Sequence, residues 1–341
     1  MRAALLALWL AATASLQEGP QRSPRQFVTD FHRRHPHSLY TVIPLHISED
    51  GDGGGERVAK LLNFGFHARR LVADESVVIR HVEKRIRESG LGEKAFTGVA
   101  TICNSNGGHS DTGAEIDVLL TEMVCIDYKR ALLAKGTVTG TPFPPPFAVN
   151  MSPHSRSLPA LKSCSWPEER LSIERQRDIL SKSKALPYGI NDTVLIREAR
   201  GTALLEGLTS SLLLLSHDMQ SGATELSLAV EGSALRGSMS DVVATAAASL
   251  GYSVNYNGAL LSQLAAPDNG CSAVIRGAFL CSATKVAQRI DVIYDASGDI
   301  VYNKLRLRSN EMINEKIDFL HYKTLEYICD NGDVAWRTVH L

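Results

Sequence analysis

Hydrophobic residues run almost without break from Leu39 to Ile47, which predicts a strand after the polar and basic stretch 27–36. From Glu56 to Val72 the apolar positions Val58, Leu61, Leu62, Phe66 and Leu71 fit helical spacing and predict a helix. A second helix fits Glu75–Ser89, with Gly90 as its stop. Phe96–Ile102 and Glu115–Ile126 read as strands on either side of a Gly/Asn/Ser loop. Downstream, the pattern predicts a helix over Pro167–Lys184, a hairpin over Thr193–Ser216 and a strand near Thr224–Val230. A helix over Ser238–Leu250 closed by Gly251 follows, then strands at Ala273–Cys281 and Val286–Tyr294. After a polar turn at Asp295–Asp299, a final amphipathic helix fits Asn310–Ile328.

Between the two halves lies Gly140–Pro159, which holds Pro142, Pro144, Pro145, Pro146, Pro153 and Pro159. Prolines this dense cannot propagate a helix or a central strand, so 141–159 reads as an interdomain connection. It divides an N-terminal domain over 27–140 from a C-terminal domain over 160–341. With 341 residues, 44% of them hydrophobic, the chain can bury the cores of two domains. The fold class expected is α/β (α+β). The formal net charge of -1 provides no field for nucleic acid or acidic membranes. Six widely spaced cysteines without a Cys-x-x-Cys pair indicate neither a zinc cage nor a disulfide framework, and no metal site is expected.

Met1-Arg2 precedes an apolar run, Ala3–Ala14, whose Ala12-Thr13-Ala14 suits a cleavage site. Residues 1–19 therefore read as a secretory or plastid leader, too short for a membrane span, with no membrane association expected after its removal. The triplets Asn150-Met151-Ser152 and Asn191-Asp192-Thr193 fit a secretory route, but such triplets also arise by chance. The compartment stays open. The Asp50–Gly55 run lacks the Gly-Lys-Ser/Thr ending of a phosphate loop and reads as a turn.

The stretch Thr202–Ser216 carries the chemical signal. It sets Glu206 at the pivot of two very apolar strands, and a buried, unpaired carboxylate costs several kcal/mol, so Glu206 must reach water or meet a cation. Glu206-Gly207-Leu208-Thr209-Ser210 resembles the E-G-x-[ST]-[ST] signature of the class IV aminotransferases, enzymes of pyridoxal 5'-phosphate (PLP). Other blocks resemble the family in the same order. Leu39-Tyr40-Thr41-Val42 matches the position of an aromatic residue that faces the active site. Phe66–Leu71 resembles an H-[LI]-x-R-L helix. Pro159–Trp166 resembles, in the plant and algal branch, the segment that opens on the Schiff-base lysine. Leu235–Ser240 is similar to L-x-G-[IV]-[TS]-R, and Phe279–Thr284 to F-[LV]-[TC]-[NGS]-[ST]-x.

The resemblance implies a class IV PLP-enzyme fold: a small N-terminal α/β domain and a larger C-terminal domain with a barrel-like mixed sheet. It implies Lys162 as the Schiff-base amine, Glu206 at the pyridine nitrogen, and Arg70 on the cofactor phosphate. The backbone N–H groups of Ser238, Met239, Ser282 and Ala283 would complete the phosphate cup, with Tyr40 and Thr41 as substrate contacts. Expected partners are an amino acid, a 2-oxo acid and a second copy of the chain in a homodimer. Transamination, a lyase reaction of the aminodeoxychorismate type and a non-catalytic secreted member all remain open. Each block also has a plainer reading: a surface lysine, a solvated arginine pair, an ordinary helix cap, a buried strand tyrosine. Two departures stand out, Ser211 where the family commonly has Asn, and a long Lys162–Glu206 interval of 44 residues.

Overall fold

The structure, a computed structural model, describes residues 23–49, 57–91, 95–105, 115–122, 128, 133, 146–183, 186–198, 201–264, 274–283, 285–303, 310–330 and 336–341. The leader, the Asp50–Gly55 run and residues 141–145 of the proline-rich connection lie outside the described residues.

The N-terminal half starts with α1 (Pro24–Arg34), β1 (Leu39–Glu49), β2 (Arg57–Leu62), α2 (Phe64–Arg70), α3 (Glu75–Glu88), β3 (Phe96–Asn104) and β4 (Ile116–Glu122). Next come β5 (Ala148–Ser152), α4 (Trp166–Ser183), β6 (Ile190–Glu198), β7 (Thr202–Gly207), β8 (Ser211–Asp218), β9 (Thr224–Leu228) and α5 (Ser238–Ser249). The chain continues through β10 (Ser253–Asn255), β11 (Ala259–Leu260), α6 (Leu261–Leu264), β12 (Val274–Ser282) and β13 (Lys285–Arg289). It ends with β14 (Val292–Tyr294), β15 (Ile300–Asn303), α7 (Asn310–Asp330) and β16 (Trp336–His340).

Two sheets organise these elements. The first is five-stranded and antiparallel, in the order β16-β2-β1-β3-β4. The second has eleven strands along the path β10-β9-β8-β7-β6-β5-β14-β15, with β11 on β7, β12 on β8 and β13 on β12. It mixes parallel pairs, such as β5 with β6 and β14, with antiparallel ones, such as β8 with β12. Strand β5 is a central strand inside the stretch expected to hold none, because 147–152 is free of proline between Pro146 and Pro153. This is the α/β mixture the sequence implied.

Local chemistry explains most element ends. Asp74 caps α3 by accepting the Ser76 N–H at 2.8 Å, and Val78, Val82 and Ile86 form its buried stripe. Gly90, at φ 65, turns the chain away just after it. The helix predicted over 56–72 is instead a strand, a break and a short helix. Val58, Ala59, Leu61 and Leu62 satisfy a strand between β1 and β16, and Asn63 at φ 50 interrupts the backbone before α2. Pairing with two neighbours outweighs the weak local preference. Helix α1 arises in the polar stretch 27–36. Ser23 Oγ accepts the Gln26 N–H at 3.2 Å, Pro24 occupies the first turn, and Phe27, Val28 and Phe31 are buried.

One core lies between the first sheet and α2 and α3, around Ile43, Leu45, Leu61, Val82 and Ile102. Another packs α5 and α7 on the second sheet, around Leu213, Val243, Phe279 and Ile317. The halves meet where the segment after β5 docks on β1. Leu39 forms an isolated bridge with Ser163, and the Tyr40 N–H donates to Lys162 O at 2.9 Å.

Candidate functional site

That junction encloses a cavity of about 320 Å³. Its walls come from distant parts of the chain: Tyr40 of β1, Arg70 of α2, Lys162, Glu206 of β7, Ser238 and Met239 of α5, and Ser282 and Ala283 at the end of β12. The structure thus brings together all the candidate residues except Thr41. Alternation along β1 turns Thr41 to the opposite face, where its Oγ1 lies 2.6 Å from His67 Nδ1. Tyr40 faces inward.

Lys162 is fixed by its backbone. Its carbonyl accepts from Tyr40, and two residues on the Cys164 N–H donates to Ser38 O at 2.9 Å. Its ammonium nitrogen stands 4.8 Å from the centre of the Tyr40 ring. Burial, then the charges of Arg70, Arg156 and Arg170, hold the Lys162 amine well below the usual lysine range. A lowered value favours the unprotonated amine, the form that acts as a nucleophile and a proton acceptor.

Glu206 ends β7 opposite Leu195 of β6 and Ser211 of β8, beside a tight turn in which the Gly207 N–H donates to Ser210 O at 2.8 Å. The cation it requires in the protein is Arg156. The Arg156 Nε lies 2.8 Å from Glu206 Oε1, with both side chains almost wholly buried. The Nε–H does not point squarely at the oxygen, so the attraction is chiefly ionic. The Leu235 N–H reaches the same oxygen at 3.5 Å. Burial raises the Glu206 carboxyl above its ordinary range, while the Arg156 charge opposes the shift. The Arg156 guanidinium also stacks 4.2 Å from the centre of the Trp166 ring, and its Nη1 is buried without an acceptor among the described residues. Trp166 in turn donates its Nε1–H to Leu208 O at 3.0 Å, tying the start of α4 to the turn beyond Glu206. Sequence reasoning missed Arg156. Its only signal was that Glu206 needed a cation, and nothing along the chain named which one.

At the other end of the cavity, Arg70 donates to Arg236 O and stacks 4.8 Å from the centre of the Phe66 ring. Burial, then the neighbouring Arg156 charge, lowers Arg70 to about 10. Gly237 is the N-cap of α5 and supplies no side-chain cap, and it lines the cavity together with Ser238 and Met239 of the first turn. A Cβ on Gly237 would stand 2.3 Å from Ser211 Oγ, so glycine is what lets strand β8 and this turn approach. Asn63 Nδ2 donates to Ser238 O at 3.3 Å and joins the start of α2 to the start of α5. Tyr128 holds the far rim by donating to Ala283 O at 3.1 Å. The arrangement is an amine, a carboxylate and an anion-binding end within one cavity.

The two sequence departures now have places. Ser211 lines the cavity against Gly237, and much of the long Lys162–Glu206 interval is taken up by the 18 residues of α4. Helix α1 was also unforeseen, and its Pro24, Arg25 and Val28 close one side of the cavity. Arg25 donates to Glu174 at 2.9 Å and to Pro167 O at 2.6 Å, clasping α1 to α4.

No family model matches the chain, and no curated protein matches it in sequence. Solved structures do resemble it. A hypothetical aminotransferase from Mycobacterium tuberculosis in its PLP-bound form shares 16% identity over 91% of this chain and 95% of its own, at a TM-score of 0.52. A branched-chain amino acid aminotransferase from T.th. with pyridoxamine 5'-phosphate shares 13% identity over 90% of each chain, at a TM-score of 0.55. The chain therefore has the fold of these aminotransferases, the class IV fold that its motif order implied.

Proposed function

We propose that the chain is a PLP-dependent enzyme of the aminotransferase kind, moving an amino group between an amino acid and a 2-oxo acid. One observation carries the reading: the Lys162 amine, the Glu206 carboxylate, Arg70 and the uncapped start of α5 line a single cavity. The two similar structures, bound to PLP and to pyridoxamine 5'-phosphate, support it.

The residues fit the cofactor. Arg70 and the N–H groups of Ser238 and Met239 would hold its phosphate, with the Ser282 and Ala283 turn closing the cup. Arg156 and Leu235 engage Glu206 Oε1, whereas Oε2 meets no donor among the described residues and would face the ring nitrogen. When bound, PLP supplies an electron sink for charge developing at the substrate α-carbon. Lys162 would hold the cofactor and then, as a neutral amine, accept and return the α-proton. Glu206 would keep a proton at the ring nitrogen, and the Arg156 charge favours the ionised carboxylate against the effect of burial. Tyr40, Trp166 and α1 shield the cavity from water. Likeness to the plant and algal branch rests on the Pro159–Trp166 segment alone, and the homodimer on family resemblance; light scattering checks the latter.

Purified protein given PLP should turn yellow, and borohydride should then fix the cofactor on the peptide bearing Lys162. A colourless protein that takes up no PLP would end this reading. Holoenzyme offered L- and D-amino acids should then lose the yellow band with its true substrates.

A further inference from the structure

The two Asn-x-Ser/Thr triplets of the sequence are the acceptor pattern for N-linked glycans, and the fold places their asparagines in opposite surroundings. Asn150 belongs to β5, a central strand with β6 on one side and β14 on the other. It is 6% exposed, its Oδ1 accepts from Thr193 Oγ1 at 2.8 Å, and its Nδ2 donates to Met151 O at 3.4 Å. Ser152, which completes that triplet, is buried as well. Asn191 belongs to β6, just beyond the exposed Pro187 and Gly189, and is itself exposed. The register of β5 on β6 slips there. Ala148 pairs with Ile190 and Val149 with Asp192, so Asn191 is the extra residue of a bulge. Its Oδ1 accepts the Ala148 N–H at 2.9 Å, whereas its Nδ2 meets no acceptor among the described residues. That nitrogen is the atom a glycan needs.

We propose that Asn191 carries an N-linked glycan and that Asn150 carries none. The reactants are the Asn191 amide and an oligosaccharide joined through diphosphate to a lipid, brought together by an oligosaccharyltransferase of the secretory lumen. A bond forms between Nδ2 and the anomeric carbon of the first sugar, while the bond from that carbon to the diphosphate oxygen breaks. The lipid diphosphate leaves with the electron pair, the amide gives up one proton, and nothing is oxidised or reduced. Transfer reaches an unfolded chain, so the fold decides which glycan can be carried. A sugar on Asn150 would have to part β5 from β6 or β14, at the cost of buried hydrogen bonds and packing. A sugar on Asn191 extends into water and leaves the Ala148 bond to Oδ1 in place. Entry to the lumen rests on the leader reading of residues 1–19. Asn191 lies outside the lining of the cavity beside Lys162, so glycan and cofactor site are independent.

The test does not depend on the cofactor. The full chain, with its own N-terminus, is produced in a eukaryotic secretory host and treated with peptide N-glycosidase, which removes the glycan and turns its asparagine into aspartate. A single step of increased gel mobility is expected, with aspartate at position 191 and asparagine at position 150 in the peptide map. Asn191→Gln, which keeps an amide near the Ala148 N–H, should abolish the step. Ser152→Ala, which removes the other triplet, should leave it unchanged. The peptide map reads the wild-type chain directly, so the result stands if a variant folds poorly. A chain without glycan, a glycan on Asn150, or a step that survives Asn191→Gln would overturn the proposal. Failure to bind PLP would leave the assignment of Asn191 untouched.

Discussion

The core under the first sheet and the cavity wall beside it obey opposite rules, although β1 contributes to both. In the core, Ile43, Leu45, Ile47, Val82 and Ile86 are apolar, buried and surrounded by their like. Every residue there is replaceable in kind, because burial of apolar area is additive and undirected. Across the strand, Lys162, Arg156 and Glu206 are buried charges or would-be charges, and Arg156 and Glu206 hold one another in place. Core residues contribute to stability; the wall residues draw on it to keep a reactive arrangement.

The largest effect should come from splitting the buried pair. Arg156→Met leaves Glu206 without its cation and should cost about 3–5 kcal/mol in urea unfolding. The double variant Arg156→Met, Glu206→Gln should recover most of that loss, because no uncompensated charge remains. Equal losses in the single and double variants would show that Arg156 acts through packing on Trp166 instead. On the core side, Leu45→Ala should cost about 2–4 kcal/mol, with uptake of PLP at saturating cofactor unchanged in the folded fraction. If uptake falls in step with stability, the two faces of β1 are not separable.

A smaller effect tests the close approach at Gly237. Gly237→Ala should destabilise by about 1–2 kcal/mol, since its Cβ would meet Ser211 Oγ, and should weaken binding of inorganic phosphate. Adding Ser211→Ala removes that oxygen and should restore most of the stability; independent losses would mean that the contact is not what requires glycine. The smallest change has the opposite sign. Lys162→Met should stabilise the cofactor-free protein by about 1 kcal/mol at pH 7. The folded amine titrates below the unfolded one, so the wild type loses stability as pH falls from the unfolded lysine range through its lowered folded value. The variant lacks that loss, and thermal melts of both proteins between pH 7 and 10 should converge at the alkaline end. A gap that widens with rising pH would rule out the buried neutral amine.

Elements whose signals were local were legible. Helix α3 had a cap, a stripe and a terminal glycine, and α5 likewise ended at Gly251, whose φ is 76. The segment 57–62 was misread because Val58, Leu61 and Leu62 suit a helix stripe as well as a strand, and β16 at the far end of the chain settled the matter. Helix α1 went unseen because three buried apolar residues, Phe27, Val28 and Phe31, in a basic stretch give little periodic signal. Thr41 was placed beside Tyr40 in the site, but neighbouring strand residues point to opposite faces.

By itself, the sequence determined the types of group available and their order: an amine at Lys162, a carboxylate at Glu206, a guanidinium at Arg70 and a glycine before α5. Those are properties of single residues and short motifs, set by covalent chemistry and local backbone preference. Only the tertiary structure decided that Arg156 pairs with Glu206 and that Thr41 faces His67 instead of the cavity. Both pairings join residues far apart in the chain, and which distant side chains share a buried space depends on strand order and register, through which the whole chain lowers its free energy together.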